Sequence, residues 1–217
     1  MNKNISKEFA QNYDSYSKAN HWSSPTVLFE LCHQYLNRND ILLDIGIGTG
    51  LSAVPFKSAG LIIYGLDSSE YMLDICRSKQ IAIDLKLHDL MQTPFPYDSG
   101  FFDICIVNGI LHLTGFLEAV FSEIKRILKN KGLFAFTIDK YKSDDSREYL
   151  KSDTPGLWKK LNVEHNFYTY KHSISYVDEQ LKMLKFSILD QIDFCAFKSI
   201  GENREVHFTA FAAKLDS

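Results

Sequence analysis

The sequence predicts an α/β fold built on a doubly wound, mostly parallel sheet. Short apolar runs at residues 42–45, 61–66, 81–87, 101–107 and 133–138 alternate with helix-like stretches. Strands that alternate with helices in this way form parallel sheets, which bind ligands at the carboxyl ends of the strands. The first four runs lead into glycine or polar residues, so we expect the functional site at that edge of the sheet.

The first run passes through Asp44 into a glycine-rich turn, Gly46, Gly48 and Gly50, within the segment LLDIGIGTG. Glycine tolerates positive φ and lets the backbone approach a ligand closely, so this turn is typical of a nucleotide-cofactor site. A dinucleotide site has the pattern Gly-x-Gly-x-x-Gly, and Leu51 stands where that pattern requires its third glycine. The spacing therefore disfavours an oxidoreductase that uses a nicotinamide dinucleotide. A tight turn without a ligand stays an alternative.

The second and third runs end at acidic residues that suit a nucleoside. Asp67 lies 23 positions after Asp44, where a carboxylate can accept hydrogen bonds from both hydroxyls of a ribose. Alternatively, Asp67 caps a helix that starts near Ser68. Asp89 follows the third run and can accept a hydrogen bond from an exocyclic amine such as that of adenine, or serve only as a turn residue before Pro94.

The fourth run leads to Asn108 and then to a helix over Leu117–Leu128. Apolar side chains recur in that helix with the spacing of one buried face, at positions 117, 120, 121, 124, 127 and 128. Lys131-Gly132 is predicted to end the helix, because glycine commonly follows a helix C-terminus. The fifth strand is then expected over 133–138.

Five segments follow one another along the chain in the order LLDIGIGTG, YGLDSSEYML, HDL, FFDICIVNGILHL and EIKRILKNKGLFAFTI. This series resembles the class I S-adenosylmethionine-dependent methyltransferases, and the resemblance covers residues 10–140. The resemblance implies that the three glycines approach the methionine part of the cofactor and that Asp67 holds the ribose hydroxyls. It also implies that Asp89, Leu90 and Met72 surround the adenine, and that Asn108 and Gly109 line the methionine side. The cofactor site that follows comprises Tyr16, Trp22, Asp44, Gly46, Gly48, Thr49, Gly50, Asp67, Ser68, Met72, Asp89, Leu90, Asn108 and Gly109.

Length and composition predict that residues 1–217 form one domain, and the resemblance, which is looser outside 10–140, implies that it is a methyltransferase domain. Its parts are a helical lid (1–36), a cofactor-binding core (41–140), a substrate-cap connector (141–175), and a helix with an antiparallel hairpin (176–217) that completes seven strands. In the last part, a helix is expected over 176–184 and strands over 187–197 and 205–214, joined by 198–204. Relatives often have Gly-Phe where this chain has Lys185-Phe186, at a helix end away from the site.

Both candidate substrate regions have a plainer alternative. The first is the lid, with its aromatic and histidine side chains Tyr13, Tyr16, His21 and Trp22. In the family such a segment commonly closes over the cofactor; the alternative is that these aromatic residues simply pack the helix on the sheet. The connector 141–175 is rich in charged and aromatic residues, as a substrate cap would be, or it is a solvated loop with a short helix near 155–161.

Within the family the chain looks most like small, stand-alone enzymes that act on small molecules, including the Williams-Beuren-region type of methyltransferase-like protein. Relatives that methylate amines of nucleic acids carry Asn/Asp-Pro-Pro-Tyr/Phe, whereas Asn108 is followed here by Gly109-Ile110-Leu111. The chain has 24 basic and 27 acidic residues, a net charge of −3, whereas nucleic-acid binders usually have a basic excess. A small-molecule acceptor is therefore predicted. A protein or tRNA methyltransferase and a non-catalytic, regulatory cofactor-binding protein are alternatives.

The chemistry needs few catalytic groups. The methyl group of S-adenosylmethionine is already activated on a sulfonium, so alignment of the acceptor and exclusion of water can supply most of the rate, with S-adenosylhomocysteine as product. A general base is useful only for an acceptor that carries a proton, and His112, just past the fourth strand, is the candidate. His21, His165 and His172 are weaker candidates. No cluster with the spacing of metal ligands is visible.

The remaining features bound the setting of the protein. Cys32, Cys76, Cys105 and Cys195 are far apart and form no C-x-x-C motif, which favours reduced thiols. The sequence has no apolar run of about 18 residues and no apolar core of a signal peptide. We expect a cytoplasmic monomer or homodimer without membrane contact.

Overall fold

The computed structural model describes residues 5–163, 166–199 and 204–217 and contains six α-helices and ten strands in that part of the chain. The helices are α1 (Lys7–Ala19), α2 (Ser24–Cys32), α3 (Ala53–Ser58), α4 (Glu70–Ser78), α5 (Leu117–Ile127) and α6 (Ile174–Met183). The strands are β1 (Ile41–Ile45), β2 (Ile62–Asp67), β3 (Asp84–Leu87), β4 (Phe102–Val107), β5 (Leu128–Asp139), β6 (Leu150–Lys151), β7 (Leu157–Asn162), β8 (Phe167–His172), β9 (Phe186–Ser199) and β10 (Arg204–Leu215).

The main sheet has seven strands in the order β3-β2-β1-β4-β5-β10-β9. The first five in this order are parallel to one another, and β10 pairs antiparallel with both β5 and β9. This arrangement confirms the predicted sheet and its C-terminal hairpin. Most of the connection between the hairpin strands, residues 200–203, lies outside the described residues.

Alternation along the strands creates an apolar core on each face of the sheet. In β1, Leu43 packs with α5 and α6, whereas its neighbour Leu42 packs with α2, α3 and α4 on the opposite face. Successive strand side chains point to opposite faces, so a strand buried on both sides must be apolar throughout. The helices therefore cover both faces, as predicted, and the carboxyl ends of β1, β2 and β4 are left at one edge.

The end of α5 differs from the prediction. The helix ends at Ile127, and the chain becomes extended at Leu128, five positions before the predicted strand. Gly132 does not cap the helix: a Cβ there would lie 2.9 Å from the carbonyl oxygen of Lys129 and 3.1 Å from that of Asp103. The glycine is thus required by close approach of the backbone between β4 and β5, a reason that its position after a helix does not reveal.

The connector between β5 and α6 folds as a separate antiparallel sheet, β6-β7-β8, after a 3₁₀ turn at Ser143–Arg147. The short helix considered near 155–161 is wrong, because 157–162 pair along their whole length with 167–172. Buried Lys171 anchors this sheet to the core, since its ammonium lies 3.1 Å from Asp139 at the end of β5 and 3.0 Å from Asp145.

The N-terminal segment is helical, as predicted for the lid. Ser6 caps α1 by accepting a hydrogen bond from the amide of Phe9, and Pro25 lies in the first turn of α2. The predicted helix over 25–36 ends earlier, at Cys32, and continues as a 3₁₀ turn over His33–Tyr35. Within the described ranges, the helices are too short or too polar to cross a membrane.

Candidate functional site

The glycine-rich turn connects β1 to α3, and all three of its glycines have positive φ, as predicted: +74° at Gly46, +55° at Gly48 and +91° at Gly50. Their surroundings differ. A Cβ on Gly50 would lie 2.5 Å from Ile81 and 3.0 Å from the sulfur of Cys76, so this glycine serves the packing of α4. Among the described residues, a Cβ on Gly48 would have only the carbonyl oxygen of Gly46 within 4 Å, at 4.0 Å. Gly48 is therefore the position where a ligand can approach the backbone.

Asp67, at the end of β2, holds this turn in place. One oxygen of its carboxylate accepts a hydrogen bond from the amide of Gly48 (2.9 Å), and the other accepts one from the amide of Ser69 (2.8 Å). Burial raises the pKa of Asp67, while these hydrogen bonds act to lower it. The residue that caps α4 is Ser69, not Asp67, because the Ser69 hydroxyl accepts from the amide of Met72. Ser68 is exposed beside it.

Asp44, at the end of β1, is a buried carboxylate with an unsatisfied oxygen. The side chain is 1% exposed, and its Oδ2 accepts no hydrogen bond from any residue that the structure describes. Burial and then the charge of Asp67 raise the pKa of Asp44 well above its usual value. A buried polar atom without a partner costs free energy, so it marks a place where a donor or a cation is missing.

Hydrogen bonds and an ion pair connect helix α1, part of the predicted lid, directly to the glycine-rich turn. The hydroxyl of buried Thr49 donates to the carboxylate of Asp14 in α1 (2.6 Å). Lys79, at the end of α4, forms an ion pair with the same carboxylate and donates to the carbonyl oxygen of Thr49 (3.0 Å). The prediction placed Thr49 in the site but missed Asp14, because an acid on a polar helix looks like a solvated residue in sequence.

Asn108 is the centre of a buried hydrogen-bond network. Its Oδ1 accepts from the hydroxyls of Ser24 (2.5 Å) and Thr137 (3.0 Å), and its Nδ2 donates to the hydroxyl of Ser52 (3.0 Å). Thr137 also accepts from the amide of Gly109 (2.8 Å). The network joins β4, β5, α2 and the turn after β1, so the Asn108 side chain fixes the geometry of the edge. Its contact with a cofactor stays a prediction.

The residues predicted to surround adenine lie beside the end of β2. The amide of His88 donates to the carbonyl oxygen of Asp67 (2.8 Å), which brings the segment after β3 next to that acid. Asp89 accepts from the amide of Met91 (2.9 Å) in a turn, and Leu90 packs against the apolar core. Met72 is buried in α4 but belongs to neither apolar cluster of the sheet. These positions are compatible with both the turn and the adenine interpretation.

A small cavity lies between the lid, the segment after β4 and the C-terminal hairpin. Its volume is about 120 Å³, and its lining residues are Tyr13, Tyr16, Ser17, Asn20, Trp22, Gly109, His112, Phe197 and Phe208. The structure thus brings together four predicted residues: Tyr16, Trp22, Gly109 and His112. The rings of Tyr13 and Trp22 meet edge to face at 6.1 Å, and burial raises the pKa of Tyr13 to about 12. We call this space the aromatic cavity.

Two walls of the aromatic cavity were not predicted. Phe197 and Phe208 come from β9 and β10, 85 and 96 residues after His112 in sequence. An aromatic residue in a long strand looks like ordinary core, so no sequence signal distinguishes these two from the other phenylalanines. Tyr13 was considered as a lid aromatic but was not placed in the site.

His112 lies half-buried in a 3₁₀ turn, Leu111–Leu113, that the connector sheet supports from behind. The Nε2 of fully buried His172 in β8 lies 3.0 Å from the carbonyl oxygen of Thr114, and Tyr170 packs on Gly115. Burial lowers the pKa of His172 to about 4, so His172 is neutral and structural. His21 is exposed, with a φ of +52°, and His165 lies outside the described residues.

Comparisons with known proteins agree with this geometry. Residues 43–136 match the model of a methyltransferase domain family. A malonyl-[acyl-carrier protein] O-methyltransferase of Yersinia pestis is 30% identical over 135 residues, which is 61% of this chain and 49% of that protein. A sterol 24-C-methyltransferase of Pneumocystis carinii is 32% identical over 124 residues, 52% of this chain and 32% of that protein. The chain therefore spans about half or less of the length of these curated relatives.

A solved structure extends the likeness in fold to almost the whole chain. The 1,6-didemethyltoxoflavin-N1-methyltransferase of Burkholderia thailandensis, solved with 1,6-didemethyltoxoflavin and S-adenosylhomocysteine, superposes with a TM-score of 0.70 at 14% identity. The alignment covers 97% of this chain and 86% of that one. With the strand order and the glycine-rich turn, these matches show that residues 43–136 carry a methyltransferase domain and that the chain has the fold of the class I S-adenosylmethionine-dependent methyltransferases.

Proposed function

We propose that this chain binds S-adenosylmethionine at the carboxyl ends of β1, β2 and β4 and transfers its methyl group to a small molecule held in the aromatic cavity. The observation that carries the proposal is the pairing of an open glycine with an unsatisfied acid. Gly48 leaves room for a ligand beside the backbone, and Asp44 offers a buried oxygen that finds no donor in the part of the chain that the structure describes.

The residues at this edge fit the chemical groups of that cofactor. S-adenosylmethionine supplies a methyl group activated by a positively charged sulfur, and it also carries an ammonium, a ribose diol and an adenine. Burial and the charge of Asp67 both disfavour the ionised form of Asp44, so a cationic group nearby would restore that form. Asp67 uses its two carboxylate oxygens for backbone amides yet retains lone pairs for hydroxyl donors.

The aromatic cavity sets the size of the acceptor's reacting part. A cavity of about 150 Å³ lined by apolar side chains accommodates one benzene molecule, and the aromatic cavity measures about 120 Å³. Tyr16, Trp22 and Phe208 provide flat walls that orient such a group and exclude water from it. We therefore propose an acceptor whose reacting part has the size of one small ring, with the rest of the molecule outside the cavity.

His112 is the group placed to handle a proton. It lines the aromatic cavity beside Gly109, and an imidazole can accept a proton near neutral pH. An acceptor with an O–H or N–H group would lose its proton to His112 as its oxygen or nitrogen attacks the methyl carbon. The relatives described above carry names that refer to methylation at oxygen, carbon and nitrogen, so the fold itself does not select the atom.

Calorimetric titration tests the cofactor site. Wild-type protein should bind S-adenosylmethionine and S-adenosylhomocysteine with micromolar affinity and show no binding of NAD. Gly48→Ala should abolish binding without unfolding the protein, because its Cβ occupies the open space. Gly100→Ala is the matched control, since Gly100 has a similar φ of +65° and open space around it, but lies two residues before β4, at the opposite end of that strand from Asn108. Failure to bind either adenosyl ligand, or equal binding by the two variants, would contradict the proposed site.

Turnover tests the acceptor. Release of S-adenosylhomocysteine is measured across phenols, thiols, amines and ring nitrogen compounds, each with and without an extended substituent. His112→Gln should lower kcat for protonated acceptors by about 10²-fold or more and leave cofactor affinity unchanged. Cofactor binding without turnover on any member of the panel would favour the non-catalytic, regulatory alternative. Turnover only on a protein or RNA would refute the small-molecule acceptor.

A further inference from the structure

Three potential metal ligands meet on the C-terminal hairpin, away from the glycine-rich turn: Cys195 on β9, and Glu205 and His207 on β10. We propose that these side chains form a zinc-binding site. No sequence spacing indicated it, because the cysteine is separated from the other two by the connection between the strands.

The pairing of the strands creates the cluster. Cys195 and His207 are direct cross-strand partners, so their side chains lie on the same face of the hairpin. The sulfur, the imidazole nitrogen and a carboxylate oxygen all lie within 4.8 Å of one another. In tetrahedral zinc sites the ligand atoms are roughly 3.3–3.8 Å apart, given metal–ligand distances of about 2.0–2.3 Å. Small side-chain movements would therefore bring the three atoms to bonding distance.

The two carboxylate oxygens of Glu205 contact different side chains, and one of these oxygens is available to a metal. Lys198 lies 2.8 Å from Oε1, whereas Oε2 lies 3.4 Å from the Nε2 of His207. The Lys198 ammonium can therefore stay on Oε1 of Glu205 when a cation binds to Oε2.

The chemistry of the set favours zinc over harder cations. A thiolate and an imidazole with one carboxylate are typical zinc ligands, whereas Ca²⁺ and Mg²⁺ prefer oxygen ligands alone. Cys195 is half-buried, in contrast to Cys32, Cys76 and Cys105, which are buried. The exposed side of the cluster leaves a fourth position for water. Cys195 also contacts the carbonyl oxygen of Phe197, a wall of the aromatic cavity, through its sulfur (3.6 Å).

Metal titration of the purified, reduced protein tests the site. Zn²⁺ affinity is measured by competition with a chromogenic chelator, and Co²⁺ is added separately because a cobalt–thiolate bond has its own absorption band. Wild-type protein should bind one equivalent of Zn²⁺ and show that band. Cys195→Ser and His207→Asn should each weaken Zn²⁺ binding roughly tenfold or more, and Cys195→Ser should lose the band. His33→Asn should change neither readout.

His33 is the matched control because it is an exposed histidine beside a glutamate, Glu30, without a cysteine in the pair. Circular dichroism of each variant verifies that the hairpin substitutions leave the fold intact. The proposal is overturned if the wild-type protein binds no Zn²⁺ while four free thiols react with a thiol reagent after unfolding. It is also overturned if Cys195→Ser and His207→Asn retain wild-type affinity. Neither readout depends on methyl transfer.

Discussion

Acid should weaken the fold through His172. This imidazole is 0% exposed, its Nε2 lies within hydrogen-bond distance of the carbonyl oxygen of Thr114, and its Nδ1 finds no partner among the described residues. Burial lowers its pKa to about 4 in the folded protein, against about 6.5 in an unfolded chain. The unfolded state therefore binds a proton first as the pH falls. The stability that neutral His172 contributes is complete above about pH 6.5 and is lost progressively towards pH 4.

The size of the effect follows from the two pKa values. Each pKa unit corresponds to about 1.36 kcal/mol, so the loss between pH 7.5 and pH 5.0 amounts to about 2 kcal/mol. Asp44 acts in the opposite direction, because its raised pKa makes the folded state take up a proton as the pH falls. A pH profile of the wild-type protein alone would therefore mix the two contributions.

Comparison with a variant isolates the histidine. Urea unfolding of wild type and His172→Gln is measured at pH 7.5 and pH 5.0, where glutamine retains an amide donor for the carbonyl oxygen of Thr114. The difference in unfolding free energy between the two proteins should shrink by about 2 kcal/mol on going to pH 5.0, because Asp44 contributes equally to both. His33→Gln, at an exposed histidine, should show no such change. An unchanged difference for His172→Gln would refute a buried, neutral imidazole.

Three further predictions concern the acid, the lid and one strained residue. The affinity for S-adenosylmethionine should increase as the pH rises towards the raised pKa of Asp44, and binding should release a proton, which calorimetry in buffers of different ionisation enthalpy measures. Asp44→Asn should lose both effects. A wild-type affinity that does not depend on pH would contradict the role of Asp44. Bound cofactor should slow proteolysis within residues 5–25. Asp14→Ala should speed cleavage of the cofactor-free protein, because it removes the contacts with Thr49 and Lys79. Equal cleavage rates with and without cofactor would contradict the prediction that this segment is a lid. Lys185 has a φ of +62°, so Lys185→Gly should raise the unfolding free energy by about 0.5–1 kcal/mol in urea, and a lower midpoint would refute that account.

The edge that carries the candidate site could be predicted because its signals are local. Gly46, Gly48 and Gly50 follow an apolar run within six residues, and parallel pairing places the ends of such runs side by side. Asp67 and Asn108 needed no knowledge of distant contacts to be placed there. The local pattern could not show that the three glycines have different roles. Gly50 is a glycine because of Ile81 and Cys76, and that packing is visible only once α4 and the chain before β3 are in position.

The rest of the site depends on contacts between segments far apart in sequence. Phe197 and Phe208 reach the aromatic cavity because β10 inserts next to β5, and no periodicity in the hairpin indicates which of its phenylalanines face that way. The connector sheet could not be predicted either, because the charged and aromatic residues over 157–162 are compatible with a loop, a helix or a strand. The pairing with β8 decides between them.

The fastening of α1 couples the two halves of the proposed reaction. Asp14 attaches the helix to Thr49 in the glycine-rich turn, and Tyr13 and Tyr16 of the same helix are walls of the aromatic cavity. The aromatic cavity is therefore complete only while α1 is seated on the turn. A cofactor at Gly48 would lie next to Thr49, so we expect its binding to affect the seating of α1 and with it the aromatic cavity. This coupling predicts that cofactor alone, in the absence of an acceptor, protects residues 5–25 from proteolysis.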